Sequence, residues 1–546
     1  MRWQGCLIIF LMQSPLVWAQ DQFASDRVVP PVVNVPPATK KVPQQQELLP
    51  ANFQQPKLNP LPKIPDKLPN FNIVLPELSP AIPRTLPRLQ GTPPSAVLGD
   101  LTLSEVLQSV DNHFPLLQAA RLERSVAEGK LLSAFGAFDL NITAASYNSP
   151  LATYENYGFT TGLSQAFTDS GVNVFSRYRG GFGDYPVYKG GDKTAEGGEF
   201  RAGVSIPLLQ NRDIDRARAN LQQATIGRDA VEPLIQLQNI RLQLAASRAY
   251  YAWVATGQRL RIARELAKLA QDRDEQLRAV VAGQVAAKVE RANNLQSLYG
   301  RNASLVEAEE MFAKAAVDLS MFLRDTNGES VLPAYGRLPN FPMMSEPDGE
   351  QLQAAIDYAW QNRPELLRLA YQREVLEVEL RQSQNLTQPA FNAIISGATD
   401  VGFGKPATGP SRLDRQSVDV GVEFRLPYQR RDALGKVFAI QAQLAQVNQE
   451  IRNQRDVIRT EVQNAFVALE RAHEQTKQVS ERVRYGRMVA DGEQVLFEAG
   501  FSEVFKVNIQ EQFAFDAQLG EVSAQLKYFI AEAQYKAALG YLVPVR

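Results

Sequence analysis

Two long runs with few helix breakers constrain the fold more than any other feature of this sequence. They cover residues 213–281 and 432–498, which are 69 and 67 residues long. At a rise of about 1.5 Å per residue, each run would form a helix roughly 100 Å long, beyond the diameter of an ordinary globular domain. The chain is therefore predicted to be elongated and mainly helical. Pro233 lies inside the first run and is expected to kink or interrupt that helix near Val231.

Each long run is the centre of a unit that occurs twice in the chain. The first unit covers residues 99–335 and the second covers residues 336–546. In both units a shorter helix, a strand region, the long helix and another shorter helix follow in the same order. Turn motifs repeat as well, because residues 112–117 correspond to residues 362–367. A repeat of this length is too long for a solenoid and indicates a duplicated domain.

The shorter helices of each unit, placed end to end, are about as long as the long helix beside them. Each unit therefore offers two helical columns, which predicts a hollow helical cylinder built from several such pairs. The strand regions alternate apolar and polar residues, as half-buried strands do. The predicted elements are, in the first unit, a helix at about 102–134, strands at about 139–207 and a helix at about 286–323, and in the second unit a helix at about 349–384, strands at about 391–426 and a helix at about 502–542.

The strand segments have the length of about nine to eleven residues that a transmembrane β-barrel requires. Two hairpins in one chain cannot close a barrel, so closure would need several copies of the chain. Residues 156–198 of the first unit are rich in glycine and tyrosine and form either another hairpin or a long surface loop. The sequence is compatible with both.

The N-terminal region has the composition of a signal and a tether. Residues 1–19 combine Arg2, a short apolar run and a small residue at Ala19, which predicts a secretory signal peptide. Residues 20–98 contain most of the prolines of the chain and are predicted to be an extended or disordered leader, either a passive spacer or a segment that wraps the protein. The only cysteine, Cys6, lies within the signal, which fits an oxidising compartment.

Bulk charge and residue types exclude several functions. The formal net charge of −1 provides no field that would attract nucleic acid. The chain has two histidines, His113 and His473, in separate helical segments, and it has no phosphate-binding loop and no metal-spaced cluster. We therefore expect no enzyme activity, no cofactor and no metal site.

Considered together, these motifs resemble those of a known family, the TolC-like outer membrane efflux proteins. The resemblance covers residues 101–544 and depends on the order and spacing of motifs that are weak individually. The motifs are the helix start at 101–105, the turns at 112–117 and 362–367, the strand exits at Pro207 and Pro427, and Glu498-Ala499-Gly500-Phe501-Ser502.

The resemblance implies a mainly α-helical fold with a β-barrel portion. It implies a homotrimer in which four strands per subunit close a twelve-stranded barrel in outer membrane lipid, above a coiled-coil tunnel that crosses the periplasm. It also implies a porin-like exit duct of a tripartite efflux or type I secretion system, whose partners are a periplasmic adaptor protein and an inner membrane pump. The alternative is a periplasmic coiled-coil adaptor or scaffold without a pore, which would leave the two alternating strand regions without a role.

In this family the turn after each long helix forms the periplasmic tip, where adaptors dock. A helix that reverses direction needs a residue that tolerates positive φ, so glycine at these turns also suits simple helix termination. An apolar Phe501 at a polar tip either binds a partner or packs against its own hairpin. The matching positions are Gly283, Gln284 and Val285 in the first unit and Gly500, Phe501 and Ser502 in the second.

The sequence departs from the family at the constriction of the tip. The resemblance implies acidic residues six and nine positions after the second glycine, but these positions are Lys506 and Ile509. Lys288, Glu290 and Glu503 are nearby charges that could line the constriction instead. Lys506 either faces the lumen, where three copies would disfavour cations, or extends outward into water.

Overall fold

The structure is a computed structural model that describes residues 99–151, 155–183, 197–282, 288–402 and 416–541. The predicted signal peptide and leader lie outside these residues. The helices are α1 Leu103–His113, α2 Pro115–Phe135, α3 Arg216–Asp229, α4 Val231–Ala282, α5 Lys288–Ser320, α6 Leu352–Asn362, α7 Pro364–Asn385, α8 Arg431–Glu498 and α9 Val504–Ala538. The strands are β1 Asn141–Ser149, β2 Asn156–Ala166, β3 Asn173–Gly183, β4 Glu199–Pro207, β5 Ala390–Asp400 and β6 Ser417–Arg425.

Proline divides the shorter helices at equivalent places in the two units. The helix predicted at 102–134 is two helices, because Pro115 begins α2 and Phe114 between them is extended. In the second unit Pro364 begins α7 after an extended Arg363. Proline suits the first position of a helix, where its missing N–H has no helical partner to lose.

The two long helices differ in continuity. α8 runs without a break for 68 residues, whereas the first-unit helix ends at Asp229 and restarts as α4 at Val231. Pro233 is the third residue of α4. This interruption places Pro233 in a first turn, where the N–H groups lack acceptors in the same helix, so the proline costs α4 no hydrogen bond.

The long helices pack along antiparallel partners, α4 along α5 and α8 along α9. The partner helices then meet the first helices of their own units. At the end of α5, Phe322 stacks on Phe114 with 5.6 Å between ring centroids. At the end of α9, the Ala538 carbonyl accepts a hydrogen bond of 2.9 Å from Arg363 Nη1. These end-to-end contacts produce the helical columns that the sequence predicts.

A single antiparallel sheet carries all six strands found in the described residues, in the order β1-β2-β3-β4-β5-β6. The resemblance implied four strands per chain, so the strand number differs from that expectation. The difference arises from residues 156–198, whose alternation supports two paired strands, β2 and β3, rather than a surface loop alone. β1 and β6 are the edges of the sheet.

The two faces of the sheet have opposite polarity. Side chains on one face are apolar and exposed, whereas the other face carries an ion-pair network whose Glu199 is mostly buried. In that network Arg201 bridges Glu199 on its own strand and Asp419 on β6. The exposed apolar side chains include Ile142, Phe159, Leu163, Val174, Phe200, Ile395, Val418, Val420, Val422 and Phe424.

The main hydrophobic core lies where the helical columns join. Tyr251 of α4 stacks on Phe529 of α9 with 4.9 Å between centroids, and Phe341 stacks on the same ring at 5.4 Å. Trp253 is fully buried beside them. The aromatic contacts therefore connect the two units. None of the described helices combines the length and the apolar composition needed to cross a membrane.

Candidate functional site

The turn between α8 and α9 is a well-formed helix C-cap. Gly500 has a φ of +81°, which glycine adopts readily and other residues rarely do. The Phe501 N–H donates to the Leu496 carbonyl at 2.8 Å, and the Gly500 N–H donates to the Phe497 carbonyl at 2.9 Å. This pair of hydrogen bonds is the Schellman motif, which satisfies carbonyls that the helix end leaves free. The turn is thus locally encoded and compact.

The residues that follow Gly500 divide into an exposed and a buried set. Phe501 is 81% exposed, so it does not pack against its own hairpin in the single chain. Ser502 instead turns back, and its hydroxyl donates to a carboxylate oxygen of Glu493 in α8. An aromatic ring held in solvent by a rigid turn is a surface that a partner or a neighbouring copy can cover.

The first turns of α9 place charged residues on the outside. Val504 and Val507 are buried against the hairpin, whereas Glu503 and Lys506 are exposed. Glu503 occupies the N-cap position of α9 without a side-chain capping bond. Both charged side chains are therefore free to face a lumen, a neighbouring chain or water.

The corresponding turn of the first unit is described only in part. Gly283, Gln284 and Val285 lie outside the described residues. Lys288 and Glu290 belong to the start of α5, and the structure describes their helical backbone only. The predicted roles of these five residues therefore stay predictions.

A buried ionic cluster joins the long helices α4 and α8 and their partner helices α5 and α9 near this end of the hairpins. Arg273 of α4 donates from Nη1 to Glu511 Oε2 at 2.8 Å and to Asn508 Oδ1 at 2.7 Å, both on α9. Its Nη2 donates to Gln494 Oε1 of α8 at 3.1 Å. Arg301 of α5 donates from Nη2 to the same Glu511 carboxylate at 2.9 Å. One carboxylate thus holds two guanidinium groups from the other unit.

The cluster contains two positive charges, on Arg273 and Arg301, and one negative charge, on Glu511. This balance shifts the pKa values of its members. Burial by itself would raise the pKa of Glu511, but the hydrogen bonds and charges of Arg273 and Arg301 outweigh it and lower that pKa. Burial lowers the pKa of Arg301, and its hydrogen bond with Glu511 opposes the shift. Nε and Nη1 of Arg301 are buried without a hydrogen-bond partner. The cluster therefore depends on Glu511 remaining charged.

The cluster was not predicted from the sequence. Its one local signal is that Arg273 follows Ala270 and precedes Leu277 at the three- and four-residue spacing of core positions. A charged residue at such a position calls for a buried partner. That partner, Glu511, is 238 residues away along the chain, so no spacing rule could identify it.

The described residues offer no arrangement typical of a metal site or of catalysis. No group of three or more His, Cys, Asp or Glu side chains within the described ranges could hold a metal ion. His113 is the last residue of α1, and His473 is a buried residue of α8 whose ring lies beside Tyr528. The two histidines therefore lie in separate helices, and neither belongs to a metal-binding group within the described residues.

No protein-family model and no curated protein sequence matches this chain. Solved structures do match its fold. The open state of the MtrE outer membrane channel of Neisseria gonorrhoeae is 14% identical, with a TM-score of 0.58 over 80% of this chain and 89% of that chain. The outer membrane protein VceC of Vibrio cholerae is 13% identical, with a TM-score of 0.56 over 80% and 96%. The CmeC outer membrane channel of Campylobacter jejuni is 12% identical, with a TM-score of 0.54 over 80% and 85%.

Each match covers 80% of this chain, and the matched proteins are named as outer membrane channels or proteins rather than as enzymes. Identities this low establish a common architecture and nothing finer. The chain therefore has the fold of the TolC-like outer membrane channels that its sequence resembles.

Proposed function

We propose that three copies of this chain form an exit duct in the outer membrane of a Gram-negative-type cell envelope. In this proposal the sheets close a barrel in outer membrane lipid, and the helices form a tunnel through the periplasm. A periplasmic adaptor protein recruits the duct to an inner membrane pump, so that cargo passes out through a tripartite efflux or type I secretion system. The chain itself performs no catalysis.

The six-stranded sheet is the single observation that carries this proposal. Its two edge strands each lack a second strand partner among the described residues, and one face of the sheet exposes a continuous set of apolar side chains. An apolar band facing lipid and a polar face toward a lumen are what a membrane barrel requires, and closure with other copies removes both open edges.

A pore-free periplasmic adaptor or scaffold is the alternative. Long helical hairpins would serve it equally well. On β6, however, Val418, Val420, Val422 and Phe424 are all between 63% and 75% exposed. A scaffold in water would leave this apolar face uncovered, which favours aggregation, so the alternation supports the duct.

Membrane fractionation and electrophoresis test the duct directly. We expect the protein to need detergent for extraction from the outer membrane, and to migrate as a trimer that converts to a monomer on heating. Recovery as a soluble monomer would exclude the duct and support the scaffold.

We propose that the α8–α9 turn, together with Gly283, Gln284 and Val285 of the first unit, is the adaptor-docking tip. The support is the exposed ring of Phe501 on a rigid turn between two long helices. A photocrosslinking residue at position 501 should capture a periplasmic adaptor in cells, identified by mass spectrometry. The matched control is Phe438, which is 75% exposed near the opposite end of α8. Equal capture from both positions would contradict docking at the tip.

We also propose that Glu503 and Lys506 at the start of α9, together with Lys288 and Glu290 at the start of α5, line the pore constriction. Lys506 is the most informative of them, because three copies would place three positive charges around one narrow opening. Lys506→Asp should raise the permeability ratio of cations over anions in planar bilayers. Glu503→Gln should shift the ratio in the opposite direction. Unchanged selectivity in the Lys506 variant would show that this side chain faces outward.

A further inference from the structure

The hairpin formed by β2 and β3 is an integral part of the sheet. β2 pairs with β1 through nine residues and with β3 through eleven, and β3 pairs with β4 through seven. Both strands of the hairpin thus have partners on both sides. The hairpin separates β1 from β4, which therefore do not pair with each other in the structure.

Side-chain contacts fasten this hairpin to its neighbours. Phe159 of β2 lies over Gly180 of β3, and Phe175 of β3 lies over Gly203 of β4, so that a Cβ at either glycine would collide with the ring. Aromatic rings that cover glycines on adjacent strands stabilise their pairing. Arg179 of β3 also donates to Glu199 of β4 at 2.8 Å.

The turn of the hairpin is docked at the base of the sheet. Gly171 lies so close to the Asn211 carbonyl and to the Pro207 ring that no side chain fits there. That corner is itself rigid, because the buried Arg218 donates to the Asn211 carbonyl at 2.6 Å and to the Arg212 carbonyl at 3.0 Å. A loop that lay free on the surface would not pack this closely where the sheet meets the helices.

The insertion also preserves the sidedness of the sheet. β1 and β4 each contain nine residues, and the inserted strands β2 and β3 each contain eleven. Two added strands change neither the antiparallel alternation nor which face each residue occupies. Because six is an even number, β6 of one copy can pair antiparallel with β1 of the next copy.

We infer that the hairpin belongs to the barrel wall, so that three chains form an eighteen-stranded barrel rather than a twelve-stranded one. This inference rests on the proposed trimeric duct. Six strands tilted by about 40° cover roughly 38 Å of circumference, which is close to the width of four helical columns spaced about 9.5 Å apart. Four strands would cover only roughly 25 Å. Six strands per chain therefore give a barrel as wide as the tunnel beneath it.

The wider wall changes what the exit passes. Eighteen strands give a barrel about 36 Å across between backbones, compared with about 24 Å for twelve. After side chains line the inside, roughly 25 Å remains open instead of roughly 14 Å, and one α-helix with its side chains needs about 10 to 12 Å. The barrel therefore admits cargo wider than a single helix.

Residue-by-residue labelling of the assembled trimer tests whether the hairpin is in the wall. The only natural cysteine is Cys6 in the predicted signal peptide, so an introduced cysteine carries a unique environment-sensitive dye. With the protein in lipid vesicles, a dye at Leu163→Cys should report lipid and resist iodide quenching, whereas a dye at Ser164→Cys should be quenched. Val420→Cys and Asp419→Cys on β6 provide the matched pair for a strand that lies in the wall either way.

A hairpin deletion tests the width. Replacing residues 150–198 with an Asn-Gly turn joins the nine-residue β1 to the nine-residue β4 in a two-residue hairpin and keeps their apolar residues on one face. End-on electron micrographs of the trimer in nanodiscs should show a barrel about 1.5 times wider for the natural chain than for the deletion variant, since diameter grows with strand number.

The outcomes separate this inference from the duct itself. Water exposure at both Leu163 and Ser164, with normal alternation on β6, would overturn the inference and leave the duct intact. Equal barrel diameters would do the same. Loss of alternation on β6, or absence of a membrane-bound trimer, would instead contradict the proposed function. The labelling experiment remains decisive if the deletion variant fails to fold.

Discussion

In each unit the residue before the helix-starting proline contacts the end of a partner helix, but this residue is aromatic in the first unit and charged in the second. Immediately before the proline of the first unit, Phe114 stacks on Phe322 and accepts the Arg324 guanidinium over its ring at 5.5 Å. At the equivalent place in the second unit, Arg363 donates to the carbonyls of Ala537 and Ala538 at the end of α9. The backbone is extended at both positions.

The comparison indicates that the proline and the adjoining helix end determine the geometry of the junction. The side chains that pack into the junction can differ. A helix C-terminus has carbonyls without partners, and either a cation or a separate set of hydrogen bonds can serve it. In the first unit Ser109 supplies part of that role, because its hydroxyl donates to the Arg324 carbonyl at 3.3 Å, just beyond the end of α5. Duplication has preserved the architecture rather than the contacts.

The largest effect is expected where the units contribute unequal charges. Glu511→Ala would leave Arg273 and Arg301 buried without their shared carboxylate, at a cost of about 3–5 kcal/mol in the free energy of unfolding. Thermal unfolding followed by circular dichroism of the detergent-solubilised protein measures this cost. Asp516→Asn, an exposed change on the same helix, should alter stability by less than about 0.5 kcal/mol. Similar losses in the two variants would contradict the role of the cluster.

The same cluster predicts that the free energy of unfolding depends on pH in the acidic range. Because the folded pKa of Glu511 is lowered, its stabilising contribution is present above the pKa of the unfolded carboxyl and is lost as pH falls through the folded pKa. The stability difference between the natural chain and Glu511→Gln should therefore shrink from neutral pH toward strongly acidic pH. A difference that grows in acid would contradict the lowered pKa.

The next largest effect is expected from interrupting the continuous helix α8. Position 448 lies in α8 at about the same distance from the helix start as Pro233 lies from the start of α3. Asn448 is exposed, so Asn448→Pro removes no packing, but a proline inside an unbroken helix costs about 3 kcal/mol or more. Asn448→Ala is the control and should be neutral or slightly stabilising. A small effect of the proline would mean that α8 tolerates the same break as the first unit.

A smaller loss is expected at the charged junction. Arg363→Met keeps the length of the side chain and removes its hydrogen bonds to the α9 carbonyls, to Glu365 and to Glu461, for an expected cost of about 2 kcal/mol. Arg368→Met, at an exposed site in the first turns of α7, should have little effect. Urea unfolding of the two variants in detergent measures the difference. Equal midpoints would show that the junction needs only the proline.

The smallest effect is expected from restoring continuity to the first unit. Pro233→Ala removes no native hydrogen bond, because the proline lies in the first turn of α4. Stability should change by less than about 1 kcal/mol, through greater freedom of the unfolded chain opposed by a better helix former. Thermal unfolding beside the Asn448→Pro variant gives the direct contrast. A loss above about 2 kcal/mol would mean that the break at Ala230 has a packing role.

Helix positions could be predicted from the sequence because their signals are local. α8 begins and ends within one residue of the predicted 432–498, and the predicted weakness near Val231 coincides with the boundary between α3 and α4. The capping of α1 by Thr102, whose hydroxyl accepts from the Glu105 N–H, was likewise encoded within a few residues. Local rules could not decide whether residues 156–198 pair, because their partners β1 and β4 are alternating strands that would pair equally well with each other.

The site was predictable to a smaller degree. The Gly500 turn carries its own signal, since a glycine after a long helix marks a C-cap. The Arg273, Arg301 and Glu511 cluster carries almost none, because its members come from different helices and meet only after both units pack. Whether Lys506 faces a lumen depends on neighbouring copies, which the sequence of one chain does not specify.

The open edges of the sheet also bear on how the chain must be made. Every residue of β6 and almost every residue of β1 is exposed in the single chain, and neither strand is shielded by a proline or a covering helix within the described residues. Uncovered edges of this kind pair with whatever strand they encounter. In the proposed duct, a chain that has not yet met its copies can pair wrongly at these edges, so we expect its yield to depend on chain concentration and on proteins that hold the sheet until assembly.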